Sequence, residues 1–402
     1  MTLMLTSSYH AYLRRLASAY EVEGGKSRII PMEGLRGLAV LLVFFVHFHA
    51  LFGTYAPKGI WLRTSEFLGT IGNSGVDLFF VMSGYLIYGA LIRREVGYFK
   101  FTSRRIGRIY PAFLAVFILY LALSAIFPLQ NKIHGGALLA GRYILANLLL
   151  LPGILNIRPI ISVAWSLSYE FFFYLTLPIV ISLARMRQWK PNHRLRTFAL
   201  LWALFGIASL HYPLDSRARM ISFITGVVLY EAISTGRARF ALTAAGEFMA
   251  ILLVPVSFAF FYHVHRPRSA SQINGLLPVF ALNAAFFFLT LYCFEYGGSL
   301  RRVFSWSPLR YLGNMSYSYY LVHGLTLQAV ALVWRKAGLP FSYFLLVLGF
   351  GATWVSASLL FFSVEKRFSL RSKSATATKE PGTRSQMQST QAVLQNSISS
   401  AN

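Results

Sequence analysis

The chain has 402 residues, 56% of them hydrophobic and only 13% charged, and it carries a formal charge of +25. A soluble domain is about 25% charged, so the bilayer is the solvent for most of this chain. The Lys and Arg side chains collect between the apolar runs, which excludes a basic nucleic-acid groove on a soluble fold. The one cysteine, Cys293, excludes a disulfide framework and a cysteine-based metal site.

The first 30 residues contain Arg14, Arg15, Lys26 and Arg28 but no signal-peptide core, so the first membrane segment is expected to be retained. Apolar runs then follow at Leu35–Phe52, Val76–Ile92, Pro111–Phe127, Ile161–Ala184 and Phe198–Leu210. Five more lie at Ile221–Ile233, Phe240–Tyr262, Leu276–Tyr296, Ser316–Trp334 and Phe341–Phe362. Each meets or approaches the roughly 20 residues of a spanning helix. The expected fold is therefore all-α, a polytopic membrane protein of about ten transmembrane helices. Tyr143–Ile157 is a further apolar run, expected to re-enter or lie at the interface, since a span there would place the basic 185–196 connection outside.

Counted over alternate connections, 26 Lys and Arg fall on the side of the N-terminus and 11 on the other. This bias predicts both termini in the cytoplasm. The expected organisation is a cytoplasmic segment 1–34, a transmembrane domain 35–365 and a disordered cytoplasmic tail 366–402, the last rich in Ser, Thr, Gln and Asn.

Ionisable residues inside spans are costly, so each is a functional candidate. In the first span Arg36 stands at the cytoplasmic mouth and His47 eleven residues later. That spacing is close to three helical turns and puts both on one face, about 16 Å apart. An arginine there suits an anion, and a histidine suits general-base removal of a hydroxyl proton. The bland readings are an interfacial anchor for Arg36 and a packing role for His47, and His49, on another face, is read as packing.

In the second span Asp77 lies near the outer end, with Ser83, Gly84 and Tyr85 at mid-membrane. Gly84 equally suits close helix packing. The following connection concentrates Arg104, Arg105 and Arg108 before Pro111, where the next helix is expected to begin. Guanidinium groups bind phosphates in a bidentate way, and the alternative for these three is a topology signal touching anionic lipid. The fourth span opens with Trp165, Tyr169 and Glu170, followed by Tyr174; Trp165 and Tyr174 also fit an interfacial belt, and Glu170 a structural ion pair. Asn314, Ser316, Tyr317, Tyr320 and His323 make the start of the ninth span too polar to face lipid.

The stretches GLRGLAVLLVFFVHF, GVDLFFVMSGYLI, FTSRRIGRIYP, WSLSYEFFFYL and LGNMSYSYYLVHG run in order from Gly34 to Gly324. Together they resemble the acyltransferase-3 family of membrane O-acyltransferases, which acetylate O-antigens, exopolysaccharides and nodulation factors. The resemblance implies a ten-helix core in the bacterial inner membrane that carries acyl groups from cytoplasmic acyl-CoA, acetyl-CoA foremost, to a carbohydrate or glycolipid acceptor. It puts the family's helix-one pair on Arg36 and His47, its loop arginines on Arg104, Arg105 and Arg108, its serine-glycine element on Ser83 and Gly84, and its aromatic-glutamate motif on Tyr169 and Glu170.

The expected mechanism holds the acyl-CoA phosphates on Arg36, Arg104, Arg105 and Arg108 and uses His47 as base, with Glu170 or Asp77 setting its tautomer and charge. Ser83, Tyr85, Trp165, Tyr169, Asn314, Tyr317 and His323 are the expected substrate-binding set. No metal, nucleic-acid partner or fused esterase-like domain is expected, and membrane lipids surround the fold. The competing readings are a transporter or flippase of a lipid-linked sugar, for which no internal repeat is visible, and a non-catalytic scaffold.

Overall fold

A backbone in hydrocarbon has to satisfy its N–H and C=O groups within its own segment, which makes apolar runs coil into helices. The structure, a computed structural model, describes residues 18–22, 28–127, 132–133, 135–211, 216–264 and 277–370. Among them the chain is helical and forms no strand, only an isolated bridge between Pro152 and Leu155. The expected tail beyond residue 370 lies outside the described residues.

The helices are α1 (Ile30–Phe52), α2 (Ile60–Gly72), α3 (Ser74–Arg93), α4 (Tyr98–Ile126), α5 (Ala137–Leu148), α6 (Ala164–Leu183) and α7 (Pro191–His211). They continue with α8 (Ile221–Ser234), α9 (Ala244–Val264), α10 (Leu277–Glu295), α11 (Ser299–Phe304), α12 (Ser307–Asn314), α13 (Ser316–Lys336) and α14 (Phe344–Leu360). A π-helical segment, Phe361–Ser369, extends α14.

Seven of the described helical stretches are long and apolar enough to cross a membrane, with α2 and α3 counted as one. Of the ten expected runs, those on α7, α8 and α13 fall outside this group. α8 has 14 residues, about 21 Å at 1.5 Å per residue, against a hydrocarbon core of about 30 Å. α13 is long but polar, and its Ser316, Ser318 and His323 are wholly enclosed by protein. Its polarity faces neighbouring helices, where hydropathy measures nothing about lipid. α5 has 12 residues, about 18 Å at 1.5 Å per residue, short of the hydrocarbon core, and it takes up only the first part of the Tyr143–Ile157 run. The irregular backbone after it is held from within. Asn147 accepts from the Ile160 N–H at 2.7 Å, and Lys132 donates to the Ile160 carbonyl at 2.9 Å.

Two boundaries differ from expectation in ways that matter to the site. α4 begins at Tyr98 and carries Pro111 inside it, so Arg104, Arg105 and Arg108 sit on a helix rather than in a loop. Proline is tolerated there because it removes one hydrogen bond without ending a long membrane helix. At the other end, helical winding runs on through Lys366 and Arg367, which belong to the fold instead of the tail. Lys366 donates to the carbonyl of Ala19 at 2.5 Å, tying this segment to residues 18–22.

α1 runs through the middle of the bundle, against α2, α3, α10, α11, α12, α13 and α14. Small residues allow its backbone to come close: a Cβ on Gly313 of α12 would lie 1.7 Å from the Glu33 carbonyl oxygen. α3 and α8 cross in the same manner through Gly84 and Gly226, where a Cβ would stand 2.2 Å from the Phe223 oxygen and 2.1 Å from the Val81 oxygen. Without a hydrophobic drive between helices in lipid, such close contact and interhelical hydrogen bonds hold the bundle together.

Candidate active site

α1, α3, α4, α6 and α13 enclose a cavity of about 340 Å³. Its walls are mostly apolar side chains of α3, including Val76, Phe79, Phe80, Leu86 and Ile87, and its polar groups come from the four other helices and Ser83. Arg36, Arg105 and Arg108 line it together with Glu170, Tyr174, Tyr317, Ser166 and Tyr320.

Arg105 and Arg108 are three residues apart on α4 and therefore share a face, while Arg104, one position earlier, is exposed to the outside. Each cavity arginine is held differently. Arg108 pairs with Glu365 of the π segment at 2.8 Å and lies over the Tyr317 ring, 5.9 Å from its centre. Glu365 has no exposure and also accepts from the Ser318 backbone N–H at 3.1 Å and hydroxyl at 2.5 Å. Arg105 packs its guanidinium over the rings of Phe101 and Tyr174, at 5.3 and 5.7 Å, and its Nε is buried without a hydrogen-bond partner. Arg36 makes no hydrogen bond or ion pair with the described residues. Two of the three cations thus have donors to spare at the cavity wall, which suits an anionic ligand.

Glu170 does not reach His47. Its carboxylate accepts from the Ser83 hydroxyl at 2.8 Å and from the Tyr174 hydroxyl one turn along α6. Asp77 does not reach His47 either, because Arg219 donates to it at 2.6 Å and Ser222 at 3.4 Å, and its residue is only 2% exposed. One or other of these carboxylates was expected to orient the histidine; each instead accepts from donors close to it, as buried charge requires.

A backbone carbonyl orients His47. Its Nδ1 lies 3.0 Å from the Val43 oxygen, and since a carbonyl only accepts, Nδ1 carries the hydrogen and Nε2 keeps the lone pair. The side chain facing His47 is His323 of α13, with ring centres 4.6 Å apart and planes at 82°. The cavity ends on α13 at Tyr320, whose hydroxyl lies 2.5 Å from that of Ser166. His323 follows one turn further, its ring 5.8 Å from that of Tyr320. His49 bonds to Ser65 of α2 at 2.9 Å, a packing role.

Of the expected substrate-binding set, Ser83 and Tyr317 line the cavity and His323 lies beyond its end. Tyr85 packs on the opposite face of α3 against Tyr230 and Phe294. Trp165 stacks edgewise on Tyr169, and Tyr169 donates to the Gly153 carbonyl at 2.8 Å to hold the loop after α5. Asn314 donates to the Tyr20 carbonyl at 3.1 Å. Tyr85, Trp165, Tyr169 and Asn314 therefore shape the surroundings and do not line the cavity. Tyr174, open to reading as an interfacial aromatic, is buried at the cavity wall. Sequence reasoning missed Ser166 and Glu365. The one signal for Glu365 was an acidic residue amid Lys366 and Arg367 directly after an apolar run. No group of three or more metal-ligating side chains stands together among the described residues.

Membrane-crossing helices around a cationic cavity with a histidine pair beyond it define a multi-pass membrane protein with a catalytic type of centre. The family profile described as an acyltransferase domain matches residues 30–361, and the chain belongs to this acyltransferase-3 family. It is therefore an enzyme, a transferase of acyl groups other than amino-acyl groups, which sets aside the transporter and scaffold readings.

Among its relatives, acyltransferase MdmB of Streptomyces mycarofaciens is 26% identical over 75% of this chain and 79% of its own. The exopolysaccharide production protein ExoZ of Rhizobium meliloti is 28% identical over 67% and 80%. The peptidoglycan O-acetyltransferase OatA of Listeria monocytogenes is 24% identical over 83% of this chain but only 54% of its own. No solved structure matches the chain.

Proposed function

We propose that this membrane acyltransferase moves an acyl group, acetyl in the first instance, from cytoplasmic acyl-CoA to a hydroxyl of a cell-surface carbohydrate such as O-antigen or exopolysaccharide, in the bacterial inner membrane. The observation that carries the donor assignment is the cavity lined by Arg36, Arg105 and Arg108, in which the Arg105 Nε is buried without a hydrogen-bond partner and Arg36 forms no ion pair among the described residues. Coenzyme A presents a 3′-phosphate and a pyrophosphate, the geometry that planar guanidinium groups bind best. Similarity to ExoZ, an exopolysaccharide production protein, and to OatA, a peptidoglycan O-acetyltransferase, supports a carbohydrate acceptor.

In this reading the phosphates rest on the three arginines and the acyl end points along α1 toward His47, about 16 Å away by helix rise. His47 Nε2 takes the proton of the acceptor hydroxyl as its oxygen attacks the thioester carbonyl. The carbon–sulfur bond then breaks, and the departing thiolate recovers the proton from His47. Glu170, with Ser83 and Tyr174, forms the polar wall of the donor cavity.

The test is radiolabel transfer from acetyl-CoA by purified protein to isolated glycans, paired with mass spectrometry of surface glycans from wild-type and deletion strains. Label should appear in the glycan, and the deletion strain should lose the mass of one acyl group. Label that stays in coenzyme A with every glycan class, alongside unchanged surface glycans, sinks the reading.

A further inference from the structure

Two imidazoles meet at the end of α1 remote from the arginines, and both are oriented in the same way. His47 gives its Nδ1 to the Val43 carbonyl. His323 gives its Nδ1 to the Tyr320 and Tyr319 carbonyls, at 2.8 and 3.2 Å. Each neutral ring therefore holds its basic lone pair on Nε2. His323 has no exposure, and its Nε2 has no hydrogen-bond partner. A buried acceptor left unsatisfied is uncommon in a native fold and calls for a ligand or a catalytic reason.

The carboxylates and the Tyr320 hydroxyl on the neighbouring helices are engaged elsewhere. Asp77 on α3 is taken by Arg219, Glu170 on α6 by Ser83 and Tyr174, and the hydroxyl of Tyr320 lies against Ser166. The His47 ring, 4.6 Å away centre to centre, is the titratable group that faces it.

We propose that His323 is the positioning residue for His47, and that the pair works as a two-imidazole base; this rests on the acyl-transfer reading above. As the hydroxyl O–H breaks, its proton lands on His47 Nε2 and makes an imidazolium. The neutral His323 ring, 4.6 Å away centre to centre with its Nε2 lone pair uncommitted, stabilises that cation electrostatically until the thiolate, released by carbon–sulfur cleavage, takes the proton away. His323 ends the cycle neutral, and no further reactant is required. A carboxylate beside His47 would do the same work by charge; here a neutral ring does it, without a further buried anion.

The experiment compares wild type, His323→Phe, His323→Gln and His47→Gln as full-length purified proteins, with acetyl-CoA as donor and CoA binding measured by calorimetry. His323→Phe, which keeps the shape and loses the lone pair, should lower kcat by about 10- to 100-fold, on the scale of one hydrogen bond to a charged group. Donor KM and CoA binding should stay as in wild type. His323→Gln, whose amide oxygen can replace Nε2, should recover most of the lost rate. If His323→Phe fails to accumulate in membranes, His323→Asn takes its place, because its shorter amide cannot reach; Gln active and Asn impaired then supports the pairing. Equal rates in Gln and Phe (or Asn), or loss of CoA binding alongside rate, overturn it. A wild type without acyl-CoA turnover takes down the donor reading and this proposal together, whereas wild-type rates in His323→Phe take down this proposal alone.

Discussion

Removing either member of the Arg108–Glu365 pair should destabilise the protein, and removing both should restore much of the loss. Breaking a buried pair by deleting one partner costs about 3–5 kcal/mol, because the remaining charge has lost its counter-charge in a poorly solvated place. The two side chains are unequally buried, with 25% exposure for Arg108 and 0% for Glu365. Glu365→Gln leaves a cation that can turn toward the cavity, so its cost belongs at about 3 kcal/mol, the low end of that range. Arg108→Gln leaves an enclosed carboxylate hydrogen-bonded by Ser318 and countered only at longer range by Arg36, and belongs near the upper end, about 5 kcal/mol. The double variant places two neutral amides face to face and should cost about 1 kcal/mol, giving a coupling of several kcal/mol in a double-mutant cycle. The assay is the apparent melting temperature of detergent-purified protein at one fixed scan rate, since unfolding of such a protein is operationally a rate. At about 2 °C per kcal/mol for a large chain, the single variants should fall by about 6 and 10 °C and the double by about 2 °C. Additive losses in the double variant, or a larger loss from Glu365→Gln than from Arg108→Gln, would refute the buried-pair account.

Three other outcomes follow from the geometry. His47→Gln should lower kcat by about 10²- to 10⁴-fold, the usual contribution of a general base, while coenzyme A binding measured by calorimetry is retained; full transfer activity in this variant removes His47 from the chemistry. Arg36→Gln and Arg105→Gln should each raise the donor KM by about 10-fold or more, the loss of one charge-assisted hydrogen bond. The exposed Arg104→Gln should leave donor KM unchanged, and an equal effect at all three positions in initial-rate measurements would mean a general surface-charge effect rather than a site. Gly226→Val should abolish accumulation of a monodisperse protein, followed by fluorescence-detected size exclusion, because its Cβ meets the Val81 backbone oxygen at 2.1 Å. Gly97→Ala, with nothing within 4 Å, is the neutral control.

Relations within one helix are legible in the amino-acid order alone. Arg36 and His47 share a face of α1 because rise and turn per residue are fixed, and Arg105 pairs with Arg108 on α4 for the same reason. Even there the sequence misled about Arg104, since three clustered arginines look alike until it is known which face of α4 meets α6 and α13. The misplaced start of α4 at Pro111 came from treating a proline as a boundary, a rule that weakens where neighbouring helices stabilise a long membrane helix.

The membrane character of the chain and its family-wide motifs were therefore written into its composition and into spacings along single helices. What only the tertiary structure decided were the partners across helices: Glu365 for Arg108 at a separation of 257 residues, Ser83 for Glu170 at 87, Arg219 for Asp77 at 142, and His323 for His47. In water an apolar stripe would reveal which face of a helix turns inward. In lipid both the interior and the exterior faces are apolar, so periodicity is mute about packing. The choice of partner then rests on where small residues such as Gly84, Gly226 and Gly313 let backbones approach, and that choice sets which buried charge meets which donor.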